Sequence, residues 1–286
     1  MHIYGCPMHY GVGDKGLIQS LAYLNEHYSD LDFPIISEIT KEENHLPNLK
    51  NLNSVIATCN AISSYAFDVL QTDETPLFIA GDHSAVMGSI SASSEYIWDS
   101  HEEEIGLIWI DAHPDINTDV TTVTGNIHGM PVAALLGLGT SKLTGFLSER
   151  PKLKPQNIVM LGLRDIDPPE QIILDDLGIR YYTYEQICAK GLDICLRETI
   201  QYLSHLSSIH MSFDIDSMDP DIMPGVSVPV PDGFTIPEIR QVFQTLLPSL
   251  PFVSYDIVEY NHAHDVNDVT ADFLHELVET ILAFNK

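Results

Sequence analysis

Short, near-continuous apolar runs recur along this chain of 286 residues, and they constrain its fold more than any other feature. They occupy residues 2–6, 34–39, 77–80, 105–110, 157–163, 179–182, 209–213 and 252–258. A strand with one wet face alternates apolar and polar residues. A strand buried on both faces does not, so these runs suit parallel strands covered by helices. Apolar residues at helical spacing fill the intervals, over 52–70, 84–97, 130–138, 184–203, 236–247 and 269–284. Alternating βα units of this kind imply an α/β protein with a parallel sheet. Eight strands suit a closed barrel or an open doubly wound sheet, and periodicity alone does not separate them. Both place active sites at the carboxyl ends of strands.

Three of the runs end in polar clusters: Gly81-Asp82-His83-Ser84, Asp111-Ala112-His113-Pro114-Asp115 and Asp214-Ile215-Asp216. In an extended segment Asp111, His113 and Asp115 project to the same side, as do Asp214 and Asp216. One Asp-x-Asp pair is common in turns and helix caps. Three strand ends supplying His, Asp-His-Asp and Asp-Asp together point to a metal site. Carboxylate and imidazole without thiolate favour Mn²⁺, with zinc as the other candidate. In a two-metal arrangement Asp111 and Asp214 are shared. His83 and Asp115 complete one site, and His113 and Asp216 the other. Such ions sit about 3.5–4 Å apart and hold a bridging hydroxide, which makes metal-assisted hydrolysis the expected chemistry.

The bulk numbers narrow the partners. With 13 basic and 41 acidic residues the formal charge is −28, which argues against nucleic acid as a partner. The excess acid serves solubility first and could favour capture of a cationic substrate. No run is long and apolar enough to cross a membrane, and the start of the chain lacks a signal-peptide pattern. The four cysteines, Cys6, Cys59, Cys188 and Cys195, show no CxxC spacing and are expected to be reduced. One domain over residues 1–286 in the cytoplasm is the simplest expectation.

The motifs resemble those of the ureohydrolase family, the arginases, agmatinases and their relatives. Its G-D-H-S, D-A-H-x-D and S-F-D-x-D-x-x-D-P signatures stand here at 81–84, 111–115 and 212–220. The likeness extends over nearly the whole chain. It implies an open three-layer α/β/α sandwich around a central, mainly parallel eight-stranded sheet. It also implies two Mn²⁺ per subunit and hydrolysis of a guanidino group to release urea. The segment from Asn117 through Thr124 and Asn126 to His128 resembles the arginase branch. There Asn117 and Thr124 would hold the α-carboxylate of L-arginine, with Asn126 in the same substrate-binding segment. Asp167, assisted by Glu170, would receive the α-amino group. Glu259 would pair with the guanidinium, and His128 would serve as proton shuttle or general acid. The implied reaction is attack of a metal-bridging hydroxide on the guanidinium carbon, with Asp216 taking the proton. Family members are commonly homo-oligomers, trimers or hexamers.

Several positions depart from the family pattern. Val226-Ser227-Val228-Pro229 replaces a usual Thr-Gly-Thr-Pro, removing two hydroxyls near the guanidino pocket. Ala80 replaces a glycine, and residues 11–16 lack the usual Gly-Pro and following Arg. His262 and His264 follow Glu259 closely but have no further ligand pair waiting, so an exposed loop pair is expected. The alternatives are a ureohydrolase for agmatine or guanidinobutyrate, and an inactive metal-bound scaffold that binds arginine. A third is an amidohydrolase of the same architecture that releases no urea.

Overall fold

Alternate residues of each apolar run bury on opposite faces of one open sheet, which is why the runs are unbroken. The computed structural model describes residues 1–43, 45–72 and 74–285. Among them seven strands form the sheet: β1 His2–Cys6, β2 Pro76–Ala80, β3 Gly106–Ile110, β4 Ile158–Leu163, β5 Arg180–Thr183, β6 Ile209–Asp214 and β7 Phe252–Val258. The order is β1-β2-β7-β6-β3-β4-β5, and every pairing is parallel. Ten helices accompany them: α1 Ser20–His27, α2 Leu52–Leu70, α3 Val86–His101, α4 Pro131–Leu135, α5 Ser141–Thr144, α6 Pro168–Leu177, α7 Tyr184–Lys190, α8 Leu192–Leu203, α9 Ile236–Leu246 and α10 Val269–Phe284.

The two sheet faces carry separate cores. Leu77, Ile79, Ile108, Ile110, Met211 and Phe213 pack with α1, α8, α9 and α10. Phe78, Ala80, Leu107, Trp109, Met160 and Val258 pack with α2, α3 and α4. The architecture is therefore α/β/α in three layers. A buried polar link crosses one layer: His210 on β6 meets Asp256 on β7 at 2.6 Å and Ser93 of α3 at 3.0 Å. Ser89, also on α3, donates to the same Asp256 oxygen.

The sheet has seven strands, one fewer than the eight expected. The run 34–39 follows β1 only briefly, through Gly5 N–H to Pro34 O and Ile36 N–H to Gly5 O, both 2.8 Å. Pro34 has no N–H to give, and Ile35 lies 42% exposed, so the segment leaves the sheet edge after one bridge to Gly5. The helical pattern over 184–203 breaks into α7 and α8 at Gly191, whose φ of 96° a helix interior cannot hold. The pattern over 130–138 shortens to α4. Helices α1, α5 and α6 lie outside the helical patterns read from the sequence.

The order brings β2, β7, β6 and β3 side by side, although three long segments separate them in sequence. The three polar clusters and Glu259 follow the carboxyl ends of these four strands. The ends also touch directly, since Glu259 N–H donates to Gly81 O at 2.7 Å. Gly81 is where this fit leaves no room: a Cβ there would lie 1.9 Å from Met8 O. Gly81→Ala is expected to destabilise the fold by about 1–3 kcal/mol, the range for forced overpacking. Chemical denaturation would measure it; an unchanged midpoint would mean that the strand ends are not locked together there.

Candidate metal centre

Two trios of ligand atoms converge at these strand ends, and Asp111 belongs to both. The first is His83, Asp111 and Asp115; the second is Asp111, His113 and Asp216. His83 Nδ1 lies 3.0 Å from Asp111 Oδ2, 3.2 Å from Asp115 Oδ2 and 3.0 Å from Asp214 Oδ2. His113 Nδ1 lies 3.4 Å from Asp111 Oδ1 and 3.1 Å from Asp216 Oδ2. The six residues anticipated as ligands are thus brought together. Register accounts for part of this, because Ile110 of β3 pairs with Phe213 of β6 and so sets Asp111 beside Asp214.

Local structure aims the side chains. Asp111 Oδ1 accepts His113 N–H at 2.7 Å, and Asp214 Oδ1 accepts Asp216 N–H at 2.7 Å. Each turn leaves the other carboxylate oxygen pointing into the site. Asp115 (φ 46°) and Glu259 (φ 65°) occupy the left-handed region that non-glycine residues avoid, at a cost of about 1–2 kcal/mol each. The His83 ring stacks flat on Trp109, with centroids 3.9 Å apart and planes 3° apart. Its Nε2 meets Ser212 Oγ at 2.9 Å. With Nε2 held by the hydroxyl, Nδ1 is the atom left to face the carboxylates.

These atoms fit a bound cation better than they fit each other. His83 Nδ1 and Asp111 Oδ2 are buried and make no hydrogen bond despite their proximity. Asp111, Asp115, Asp214 and Asp216 are all buried, and no Lys or Arg pairs with them among the described residues. Burial, joined by the charges of Asp216 and Asp111, pushes the Asp214 carboxyl well above the usual range. Burial likewise raises Asp216, against the pull of His113. Burial works to raise Asp111 too, but the adjacent His113 and His83 imidazoles prevail and hold it below the usual range. Burial would lower the two imidazoles, yet the surrounding aspartates hold both well above their ordinary value. Divalent cations would relieve this imbalance.

A cavity of about 230 Å³ opens onto the site, lined in part by His113, Asp115, Asn117, Asn126, His128 and Val228. Glu259 is 3% exposed. Its Oε1 accepts His83 N–H at 2.9 Å and meets His128 Nδ1 at 3.3 Å, while its Oε2 has no partner. Burial would lower the His128 imidazole; the hydrogen bond and charge of Glu259 prevail and hold it at about 9. Asn117 Nδ2 donates to Asp167 Oδ2 at 3.1 Å, and Thr121 Oγ1 donates to Asn117 Oδ1 at 2.9 Å. Thr124 lines the same cavity, and its Oγ1 accepts Asn126 N–H at 3.1 Å. Glu170 lies beneath this loop, with one oxygen on Ile116 N–H and the other on Asp167 N–H, both at 3.1 Å. Burial first, and then the charge of Asp115, pushes Glu170 up to about 8. The histidine pair stands apart from the trios: His262 stacks on Tyr23, and His264 Nδ1 meets Val226 O.

Arg164, Ser212 and Trp109 belong to this centre but were not singled out from sequence. Arg164 sends Nη2 to the carbonyls of Asp216, Met218 and Val230 at 2.7–3.1 Å and Nη1 to Ser217 O at 3.0 Å. It thereby pins the backbone around the last metal-facing carboxylate. Nothing in its spacing signals this. Ser212 did carry a signal, since it stands two residues before Asp214 and so shares its side of β6. With Mn²⁺ as the probe cation, Ser212→Ala is expected to weaken any divalent-cation binding at His83 about 10–100-fold, the scale for loss of a supporting partner. Calorimetric titration would measure it; unchanged affinity would mean that Trp109 alone orients the ring.

Comparison with known proteins is consistent over the whole chain. A sequence model described as the arginase family matches residues 9–283. The chain is 34% identical to the arginase of Bacillus subtilis strain 168, over 98% of this chain and 96% of the relative. It superposes on the arginase of Bacillus caldovelox with a TM-score of 0.89 at 31% identity, covering 98% and 97% of the two chains. The same coverage, with a TM-score of 0.89 and 27% identity, relates it to the Entamoeba histolytica arginase crystallised with L-ornithine.

Proposed function

The chain belongs to the arginase family of metal-dependent hydrolases acting on amidines, and from that premise we propose that it hydrolyses L-arginine to L-ornithine and urea with two Mn²⁺ per subunit. The carrying observation is the buried Glu259, whose Oε2 has no partner while its Oε1 takes the backbone N–H of His83, a member of one ligand trio. A carboxylate so placed suits a planar guanidinium, which offers donors in a fork and keeps its charge at all working pH values.

A pair of divalent cations held by His83, Asp115, Asp111, Asp214, His113 and Asp216 would supply the acidified water that hydrolysis at neutral pH needs. The chain's own groups do the rest. Glu259 holds the guanidinium with its carbon toward the trios. Asp216 takes the proton lost as water oxygen bonds to that carbon and passes it to the substrate nitrogen that leaves. His128 keeps Nδ1 on Glu259 while Nε2 has no protein partner among the described residues, and it delivers a proton to the departing amine. Cleavage of the carbon–nitrogen bond then gives urea and an amino acid.

At the other end of the substrate, Asn117, Thr124 and Asn126 line the cavity together with Asp167 and Glu170. The three donors suit an α-carboxylate. Asp167, whose Oδ2 already takes Asn117, suits an α-amino group. Glu170 supports from below, because both its oxygens serve backbone N–H groups. The Entamoeba histolytica relative was crystallised with L-ornithine, the amino acid that this reading gives as product. Val228 gives the cavity wall an apolar face where the family pattern has a hydroxyl.

Urea release by Mn²⁺-loaded protein, with L-arginine and agmatine compared, tests this reading. Urea from L-arginine with at least 100-fold preference is expected, because polar groups built for a carboxylate are left unpaired by agmatine. A preference for agmatine, or none at all, overturns the substrate. His113→Ala should lose one of the two Mn²⁺ per subunit by elemental analysis and at least about 100-fold in kcat, the scale for a misassembled electrostatic site. Unchanged metal content defeats that ligand assignment. Asn117→Ala should raise the KM for L-arginine about tenfold, by loss of a hydrogen bond to a charged group; an unchanged KM removes Asn117 from carboxylate recognition.

A further inference from the structure

The loop bearing Asn117, Thr124 and Asn126 is held from outside by the segment 47–50. Asn48 Nδ2 donates to Asp119 O at 3.0 Å, and Lys50 N–H donates to Gly125 O at 2.9 Å. Gly125 has φ 75°, and a Cβ there would lie 1.9 Å from Pro47 O, so the two backbones are in direct contact. Above that contact Lys50 Nζ donates to Asn126 Oδ1 at 3.1 Å.

The last bond carries chemical information. An ammonium has three donors and no acceptor, so only the amide oxygen of Asn126 can face it. The Nδ2 donors are thereby turned away from Lys50. No protein acceptor takes them among the described residues, and Asn126 lines the cavity. Without Lys50 the amide could flip and present its oxygen to the cavity, repelling any anion there.

Charge points the same way. The carboxylates of Asp115, Asp165 and Asp167 line the cavity, with the His113 and His128 imidazoles as its cationic groups and, among the described residues, no Lys or Arg. Such a lining favours a guanidinium and an α-amino group but opposes a carboxylate. Lys50, reaching the rim through Asn126, offsets this at the one end where the proposed substrate is negative.

We propose that Lys50 is a positioning and specificity-determining residue: it fixes the Asn126 amide with its donors toward the cavity and favours a guanidino substrate that carries a carboxylate over its decarboxylated counterpart. This rests on the ureohydrolase reading above. Lys50 is exposed and touches no predicted ligand, so it acts through Asn126 and through its charge.

The test is Lys50→Met, which keeps the alkyl stem and removes the donors, in the full-length Mn²⁺-loaded protein. The KM for L-arginine should rise about three- to tenfold, the scale of one solvent-open, charge-assisted contact, with kcat within about twofold. The constant for agmatine, measured as substrate or as competitive inhibitor, should stay level or fall. Lys50→Arg should restore the wild-type ratio of the two. Equal losses for both compounds would reduce Lys50 to a structural strut and overturn the proposal, as would no change in either. Failure of the function reading would show earlier and separately, as no urea from L-arginine by the wild type, and would overturn both.

Discussion

Four aspartates and Glu259 are buried together at the ends of three neighbouring strands, and no Lys or Arg ion pair offsets them among the described residues. Everything else about the site answers to that constraint. Carboxylates in a low-dielectric interior cannot all ionise without a counter-charge. The imidazoles of His83 and His113 supply part of it, which is why both are held far above their ordinary pKa. The unmade hydrogen bond between His83 Nδ1 and Asp111 Oδ2 shows what remains: two groups facing one point without bonding to each other. A divalent cation is the species that satisfies both.

Holding that many like charges in place requires backing that is itself uncharged or directed elsewhere. Trp109 and Ser212 fix the His83 ring by stacking and a hydrogen bond. Arg164 is the one guanidinium close by, yet it spends its donors on the backbone carbonyls around Asp216 rather than on the carboxylate. It steadies the loop without neutralising the ligand. The buried link of Ser89, Ser93, His210 and Asp256 ties α3 to β6 and β7, whose ends carry Asp214, Asp216 and Glu259. The two ligand trios therefore rest on the sheet. The cavity-facing side rests on loops, braced by Glu170 beneath and by residues 47–50 outside. A site divided in this way can change its substrate by altering loops while the hydrolytic centre stays fixed.

Much of this was legible in the chain. The unbroken apolar runs gave strand positions to within a residue or two because a strand buried on both faces has no polar alternative. Period-two spacing placed Asp111, His113 and Asp115 on one side of a strand end, and Asp214 with Asp216 on another. The run 34–39 misled for a local reason: its composition suits a strand, but among the described residues Gly5 alone bridges to it at the sheet edge. Gly191 and the short α4 show the same limit, since helical periodicity does not reveal where the backbone must turn.

By itself the sequence determined which side chains can bind metal and which segments must be strands, because residue chemistry and apolar periodicity are local properties. Only the tertiary structure decided which strand ends are neighbours. The order β2-β7-β6-β3 is a matter of crossover connections, and it alone sets His83, Glu259, Asp214 and Asp111 within reach of one another. The same holds for Arg164, whose role depends on carbonyls more than fifty residues away, and for Lys50, which meets Asn126 across 76 positions of chain. Their spacing in sequence contains no trace of these contacts, since a hydrogen bond is decided by distance in space and not along the chain.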